Sequence, residues 1–338
     1  MAFKRFDPED FLVSSDSITS TLWSTGNPTL TQFHTSSVQS AGSSGNYYLS
    51  IYQTSSAVST AQVQFDIAYA NSVGSGSTLY NSVVPGNSYT KTIYGQYRSL
   101  ILEDETANFI FGTGTNVITG SDFWVLSIER ANYKQSLFPG SLNLRISGSG
   151  LGIINLTDNS QDNPVNTFIG TSRVYQLISG SNGSAGSLPG SGYVLNSGSY
   201  GLVFPDLGTI ILNPFAISQS INVSPSRSNN SDGLNTQRLF NSISGAASFA
   251  LNSQETITSD YVFVRARNSE FNYSENPSFI SGSTGEVIYS SFINQPQVYV
   301  TTIGMYNDSN DLLAVAKMSR PLLKDFTKEA LVRVKLDF

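Results

Sequence analysis

The sequence predicts a mainly-β protein: two or three β-sandwich or barrel-like domains with one or two short helices and long polar loops. Three observations carry this expectation. Short apolar runs alternate with polar residues at the two-residue period of a half-buried strand. Clusters of Gly, Ser and Asn punctuate those runs. Charged residues make up only 12% of the 338 positions while Gly (28), Tyr (17) and Phe (20) are plentiful, so neutral polar side chains supply most of the solvation. At 39% hydrophobic the chain has apolar material for a sizeable core, and its length suggests more than one domain.

Residues 1–26 read as an N-terminal arm. Phe3, Phe6, Phe11, Leu12 and Trp23 are spaced through polar and acidic residues, and Pro8 interrupts any long helix. Such rings serve equally as core of the arm's own domain and as anchors on a neighbouring subunit. Residues 27–147 read as a β domain with one helix. Its strands are Tyr47-Tyr-Leu-Ser-Ile-Tyr-Gln53, Val63-Gln-Phe-Asp-Ile-Ala-Tyr69, Phe123-Trp-Val-Leu-Ser-Ile-Glu129 and Leu142-Asn-Leu-Arg-Ile146. Ile93, Tyr97, Leu100 and Ile101 fall on one helical face within 92–102, with Gly95 weakening that helix.

Residues 148–250 form a loop-rich insertion or middle domain. The polar loops 179–190 and 224–233 separate apolar patches such as Val174-Tyr-Gln-Leu-Ile178 and Thr209-Ile-Ile-Leu212. Leu239, Phe240 and Ile243 make the apolar side of a second short helix starting near Asn235. Residues 251–338 form a C-terminal antiparallel β domain. Its runs are Tyr261–Arg267, Gln297–Ile303, Leu312–Lys317 and Leu331–Phe338, the last alternating Val332, Val334, Leu336 and Phe338 with Arg333, Lys335 and Asp337. Asn307-Asp-Ser-Asn-Asp311 is a hairpin tip. The segment 317–330, with Pro321, Lys324, Asp325, Lys328 and Glu329, reads as a solvated crossover to the last strand.

Composition excludes several function classes. A net charge of −6 disfavours nucleic acid, which needs clustered Lys and Arg. No apolar run approaches the roughly 20 residues of a membrane span, and the first ten residues carry acids where a signal peptide has its apolar centre; this points to synthesis in a cytoplasm without ordinary export. The absence of cysteine removes disulfides, thiolate metal sites and cysteine nucleophiles. The one histidine, His34, stands in a Thr/Ser-rich stretch, and no nucleophile elbow, P-loop or dinucleotide fingerprint is present. Glycoside hydrolysis needs only two carboxylates. The candidates are Asp7, Glu9 and Asp10; Glu103, Asp104 and Glu105; and Asp260, Glu270 and Glu286. Adjacent acids in one turn cannot flank a scissile bond. Asn307–Asp311 lacks the Gly and the closing acid of a helix-loop-helix calcium site.

Arg265-Ala-Arg-Asn-Ser-Glu-Phe-Asn-Tyr-Ser-Glu-Asn-Pro-Ser278, Val300-Thr-Thr-Ile-Gly-Met-Tyr-Asn307, Leu312-Leu-Ala-Val-Ala-Lys-Met-Ser319 and Val332-Arg-Val-Lys-Leu-Asp-Phe338 resemble the end of virion structural proteins of contractile-tailed phages, especially those infecting cyanobacteria. The opening Met1-Ala-Phe-Lys-Arg-Phe-Asp-Pro-Glu-Asp-Phe11 is similar to the same group, whereas 148–235 shows little likeness. The resemblance implies a tail or baseplate component of the phage particle, made in the host cytoplasm. Its expected partners are copies of itself and other tail proteins, with no enzymatic activity, cofactor, nucleic acid, membrane or small-molecule substrate. No site residue transfers from it. On the residues themselves, Phe3, Phe6, Phe11 and Trp23 are the expected anchors, with Phe271 and Tyr273 as a second patch. The competing expectation is a tail fibre or spike that binds a host receptor or degrades polysaccharide.

Overall fold

The structure, a computed structural model, describes residues 4–23, 33–35, 48–53, 58–78, 80–81, 83–84, 88–148, 152–163, 167–186, 193–194, 196–231, 233–246 and 248–337. Phe3, Tyr47, Phe338, residues 187–190 of the first polar loop and Asp232 of the second lie outside the described residues. The protein is mainly β, as the sequence predicts, with four α-helices among the described residues. None of these helices is long and apolar enough to cross a membrane. The chain forms two compact units. One is continuous, Ile18–Glu255; the other joins Met1–Ser17 to Thr256–Phe338.

In the continuous unit, strands from 27–147 and from 148–250 hydrogen-bond into one antiparallel sheet. Its order is Phe249–Ala250, Asn143–Ser147, Ile153–Asp158, Ser172–Ser181, Gly201–Phe204, Thr209–Leu212, Asp122–Ile128, Val63–Asn71, Tyr48–Tyr52 and Phe33–Thr35. Asp122–Ile128 shows how the sheet is used. Trp124, Leu126 and Ile128 enter one apolar cluster and Phe123 and Val125 enter another, so the strand is buried on both faces and reads as an unbroken apolar run. Helices Pro214–Ile221 and Asn235–Ala246 contribute to the first cluster through Ile217, Ile221, Leu239, Phe240 and Ile243. Helix Tyr89–Leu102 and hairpin Phe109–Thr113/Asn116–Gly120 contribute to the second through Tyr94, Ile101, Phe109 and Phe111. The result is a sheet with a helical layer on one face and a helix plus a hairpin on the other.

The helix near Asn235 has the predicted apolar side. In Tyr89–Leu102 the buried stripe is Tyr94 and Ile101, with Ile93 and Tyr97 packed beside it; Leu100, predicted on that face, is half exposed. Position 94 lies one turn before 97 and two before 101, so the stripe turns away from 100. Pro214–Ile221 is not predicted by the run of apolar residues before it. Asn213 caps it by accepting from the Phe215 N–H at 3.0 Å, and Pro214 occupies the first turn, where no N–H is needed. Its end approaches the sheet so closely that a Cβ on Gly148 would lie 2.0 Å from the Ile221 carbonyl oxygen, a contact only glycine permits.

In the discontinuous unit, strand Asn252–Ala266 lies between Phe11–Thr21 and Ala330–Asp337. Val262 pairs with Val334 and Val264 with Val332, while Arg333 and Lys335 stay exposed, the predicted alternation. A separate hairpin joins Gln297–Tyr306 to Leu312–Asp325 across the Asn307–Asp311 tip. The solvated crossover expected from 317 is therefore corrected: the strand runs to Asp325. Val300 pairs with Leu322 and Thr302 with Lys317, so residues 318–321 bulge opposite Thr301. A bulge is where a strand tolerates proline, which has no N–H to give the ladder, and Pro321 sits in this one.

Two expected outcomes follow from the packing. Phe123→Ala should lower stability by about 3–5 kcal/mol, read by urea unfolding, because its ring is wholly buried against Tyr94 and Phe109. Asp66 places a carboxylate oxygen in the interior without a partner, and burial pushes its pKa above 3.8, opposed by a hydrogen bond from Ser50 and reinforced by Glu129. An acid with a raised folded-state pKa binds its proton more tightly when folded, so its contribution is greatest below the unfolded value and is lost as pH rises through the folded value. Asp66→Asn should thus be more stable than the parent at pH 7, with the advantage shrinking as pH falls into the carboxylate range. A parent no less stable than the variant at pH 7 in thermal melts would refute this.

Candidate functional site

A cleft of about 700 Å³ opens within the discontinuous unit. The sheet built on Asn252–Ala266 supplies Val264 and its register partner Val332; the hairpin supplies Val300, Ile303, Met305 and Leu322. Side chains alternate between faces along each strand, so i, i+2 residues such as Val264 and Ala266, or Leu322 and Lys324, line it together. Its volume falls in the range of ligand-sized clefts, and its lining mixes apolar side chains with Thr302, Asn307, Asp308 and Asn310.

Phe6, Phe11 and Phe271, three of the predicted anchors, come together in this lining although they lie up to 265 positions apart. The Phe6 and Phe11 rings meet edge to face with centroids 5.3 Å apart. Asp7 and Asp10 form a capping box around the short turn Pro8–Asp10, with the Asp7 N–H donating to the Asp10 carboxylate at 3.1 Å; these acids are structural. Lys4 ties the segment down by donating to the Arg265 carbonyl and to Glu270 at 3.2 Å. Glu270 also accepts the Arg267 N–H at 2.8 Å. That bond first, and Lys4 second, holds its carboxyl below the usual carboxylate range. Tyr273 is exposed and does not line the cleft. Trp23, also read as an anchor, is 7% exposed and packs against Phe249 at 5.1 Å within the core of the continuous unit, where it is unavailable to a partner.

Lys324 is the cleft residue that sequence reasoning missed. Read as a solvated charge, it is fully buried. Its ammonium donates to the Asn268 carbonyl at 3.1 Å, the Asn272 side-chain oxygen at 2.8 Å and the Asp325 carbonyl at 3.0 Å. All three of its protons are used and all three acceptors are neutral. Asn268 and Asn272 bracket Phe271, whose φ of 54° is left-handed, a conformation that costs an aromatic residue free energy. The lysine therefore holds the loop that presents this ring. The signal was available in the two-residue period, since Lys324 shares a face with Leu322.

The other acids have local roles. Glu103 ends its helix in a left-handed conformation and accepts from the Thr171 hydroxyl at 3.0 Å. Asp104 is held below the usual carboxylate range chiefly by the Thr106 N–H. Asp122 is buried in the continuous unit, accepting from the Tyr69 hydroxyl and the Arg227 Nε at 2.7 Å each; burial and then Asp122 push the Tyr69 phenol far above its ordinary value. His34 lies in strand Phe33–Thr35. No group of three or more His, Asp or Glu residues able to hold a metal occurs among the described residues. No family model, curated protein or solved structure matches the chain.

Replacing Lys324 by Met keeps an unbranched apolar side chain and removes the donor that ties Asn268, Asn272 and Asp325 together. It should cost about 1–3 kcal/mol in urea unfolding and speed amide hydrogen exchange around Asn268–Tyr273. Unchanged exchange there would show that the lysine does not hold the loop.

Proposed function

We propose that this chain is a structural protein of a tailed-phage particle, working in the tail or baseplate region by gripping other protein subunits. The observation that carries the reading is how little apolar surface the discontinuous unit buries. Among its described apolar residues only Val262, Phe279 and Val334 are buried. Val13, Tyr273, Ile293, Tyr299, Leu313 and Leu331 are each 60–68% exposed. A unit of this size ordinarily stabilises itself by burying well over half its surface, and an apolar surface left open on this scale marks a site of interaction. The N-terminal strand points the same way: every residue of Phe11–Thr21 except half-buried Ser14 is exposed, so backbone pairing is its main hold.

The resemblance of both chain ends to phage virion proteins supplies the particle; the unburied surface supplies the reason such a protein needs neighbours. Sugar cleavage by a fibre protein would call for two carboxylates across a cleft, and the cleft lining here offers one, Asp308. Particles purified from a lysate of the encoding phage should contain the chain in multiple copies, counted by quantitative mass spectrometry. A chain abundant in infected cells and missing from purified particles would overturn the reading.

A further inference from the structure

Between Arg267 and Lys317 the sequence contains no lysine or arginine, and within that stretch lies a compact apolar knob. Phe279 and Phe292 stack with centroids 4.7 Å apart and planes 4° from parallel, and Tyr289 meets Phe292 edge-on at 5.8 Å. The Ile288 N–H donates to the Phe279 carbonyl at 3.1 Å and the Ser281 N–H to the Glu286 carbonyl at 2.7 Å, closing the knob on itself. Ile288, Tyr289 and Ile293 are left facing solvent, with Glu286 exposed two positions before Ile288. Rigid apolar groups with an aromatic anchor are what interface hot spots are made of.

The cleft has the opposite character in charge and the same in polarity. Its walls are mostly apolar, and its charged lining residues are Lys4, Arg5 and Lys324 against Asp308; Lys4 is already paired with Glu270 at 3.2 Å, which leaves Arg5 and Lys324 as its cations without a carboxylate partner among the described residues. The Lys324 ammonium meets only neutral oxygens, so its charge is offset by dipoles and not by a carboxylate. A buried cation of this kind favours an anionic visitor. An acidic apolar knob and a basic apolar cleft thus stand on one unit, and no knob residue lines that chain's own cleft.

We infer that copies of this chain join head to tail, the Glu286–Asn294 knob of one seated in the cleft of the next. This rests on the reading of the chain as an assembly protein and names its partner as a second copy. Two different surfaces meet, so the contact is heterologous; each added copy carries a free knob at one end and a free cleft at the other, and the series closes into a ring or runs on as a filament.

The test uses the full chain and mass photometry over a concentration series. Ile293→Asp disables the knob; Thr302→Glu and, separately, Arg5→Glu disable the cleft. All three positions are exposed, and circular dichroism melts check that each variant folds. The wild type should grow past dimers with concentration, and each variant should stay monomeric where the wild type is assembled. An equimolar mixture of Ile293→Asp with Thr302→Glu should pair and stop at dimers, because one partner keeps its cleft and the other its knob. A wild type monomeric at tens of micromolar, folded variants that assemble like the wild type, or a mixture that remains monomeric would each overturn the inference. Chain present in purified particles with a monomeric wild type would sink this contact and leave the proposed function standing. Complementing variants with no chain in particles would do the reverse.

Discussion

Both faces of the sheet in Ile18–Glu255 have to be kept dry at once, because Asp122–Ile128 sends consecutive side chains into separate apolar clusters. That constraint governs the rest of the unit. It requires covering elements on both sides, supplied by three helices and a hairpin, and it leaves few positions where a charge can stand. Asp122 is the instructive exception: a carboxylate at the start of the strand, removed from water, is tolerable only because Tyr69 and Arg227 complete its hydrogen bonding. Arg227 in turn lies over the Phe215 ring at 4.6 Å, so the loop after Pro214–Ile221 is held to its own helix by the stacking and to the sheet by Asp122. The polar network is a consequence of two-sided burial.

The discontinuous unit obeys the opposite rule. It holds 10 of the chain's 18 basic and 13 of its 24 acidic residues in 100 of the 338 positions, so the low charge of the whole chain belongs mostly to the other unit. Its strands alternate apolar and polar residues, and its apolar faces are largely uncovered. A sheet with one wet face needs something against the other. Among the described residues that cover is absent, and this is the stability argument, independent of any motif, behind the proposed assembly role.

Where the sequence was legible, the local period and the tertiary environment agreed. Val332, Val334 and Leu336 alternate with exposed charges, Val334 buried and the other two half-buried; Leu239, Phe240 and Ile243 repeat at helical spacing and are buried. It was illegible where the environment overrode the local signal. Lys324 is polar by type and interior by register. Trp23 lies in a segment of arm-like composition, yet its ring is claimed by Phe65 and Phe249. Pro321 suggested a break, and a bulge absorbed it. The cleft could not be read at all as a shape, since its lining comes from residues 4–11, 264–271, 300–310 and 322–332, and only folding brings these together.

The cleft's order is maintained from within. Phe271 occupies an unfavourable backbone conformation, and a strained aromatic residue on a free loop would relax unless its neighbours over-determined it. Asn268 and Asn272 are fixed to one buried ammonium, and the Asn272 amide donates back to the Asn268 carbonyl at 2.7 Å. Lys4 and Glu270 close the same region from the N-terminal side. The entropy of arranging these groups is thus lost when the chain folds and not when a partner arrives. Association then costs less ordering than it would with a mobile loop, so a modest apolar contact can be selective. A fully buried lysine, an expensive residue in a unit with so little core, is intelligible on the proposed reading: its contribution is to the shape of the surface a partner would meet.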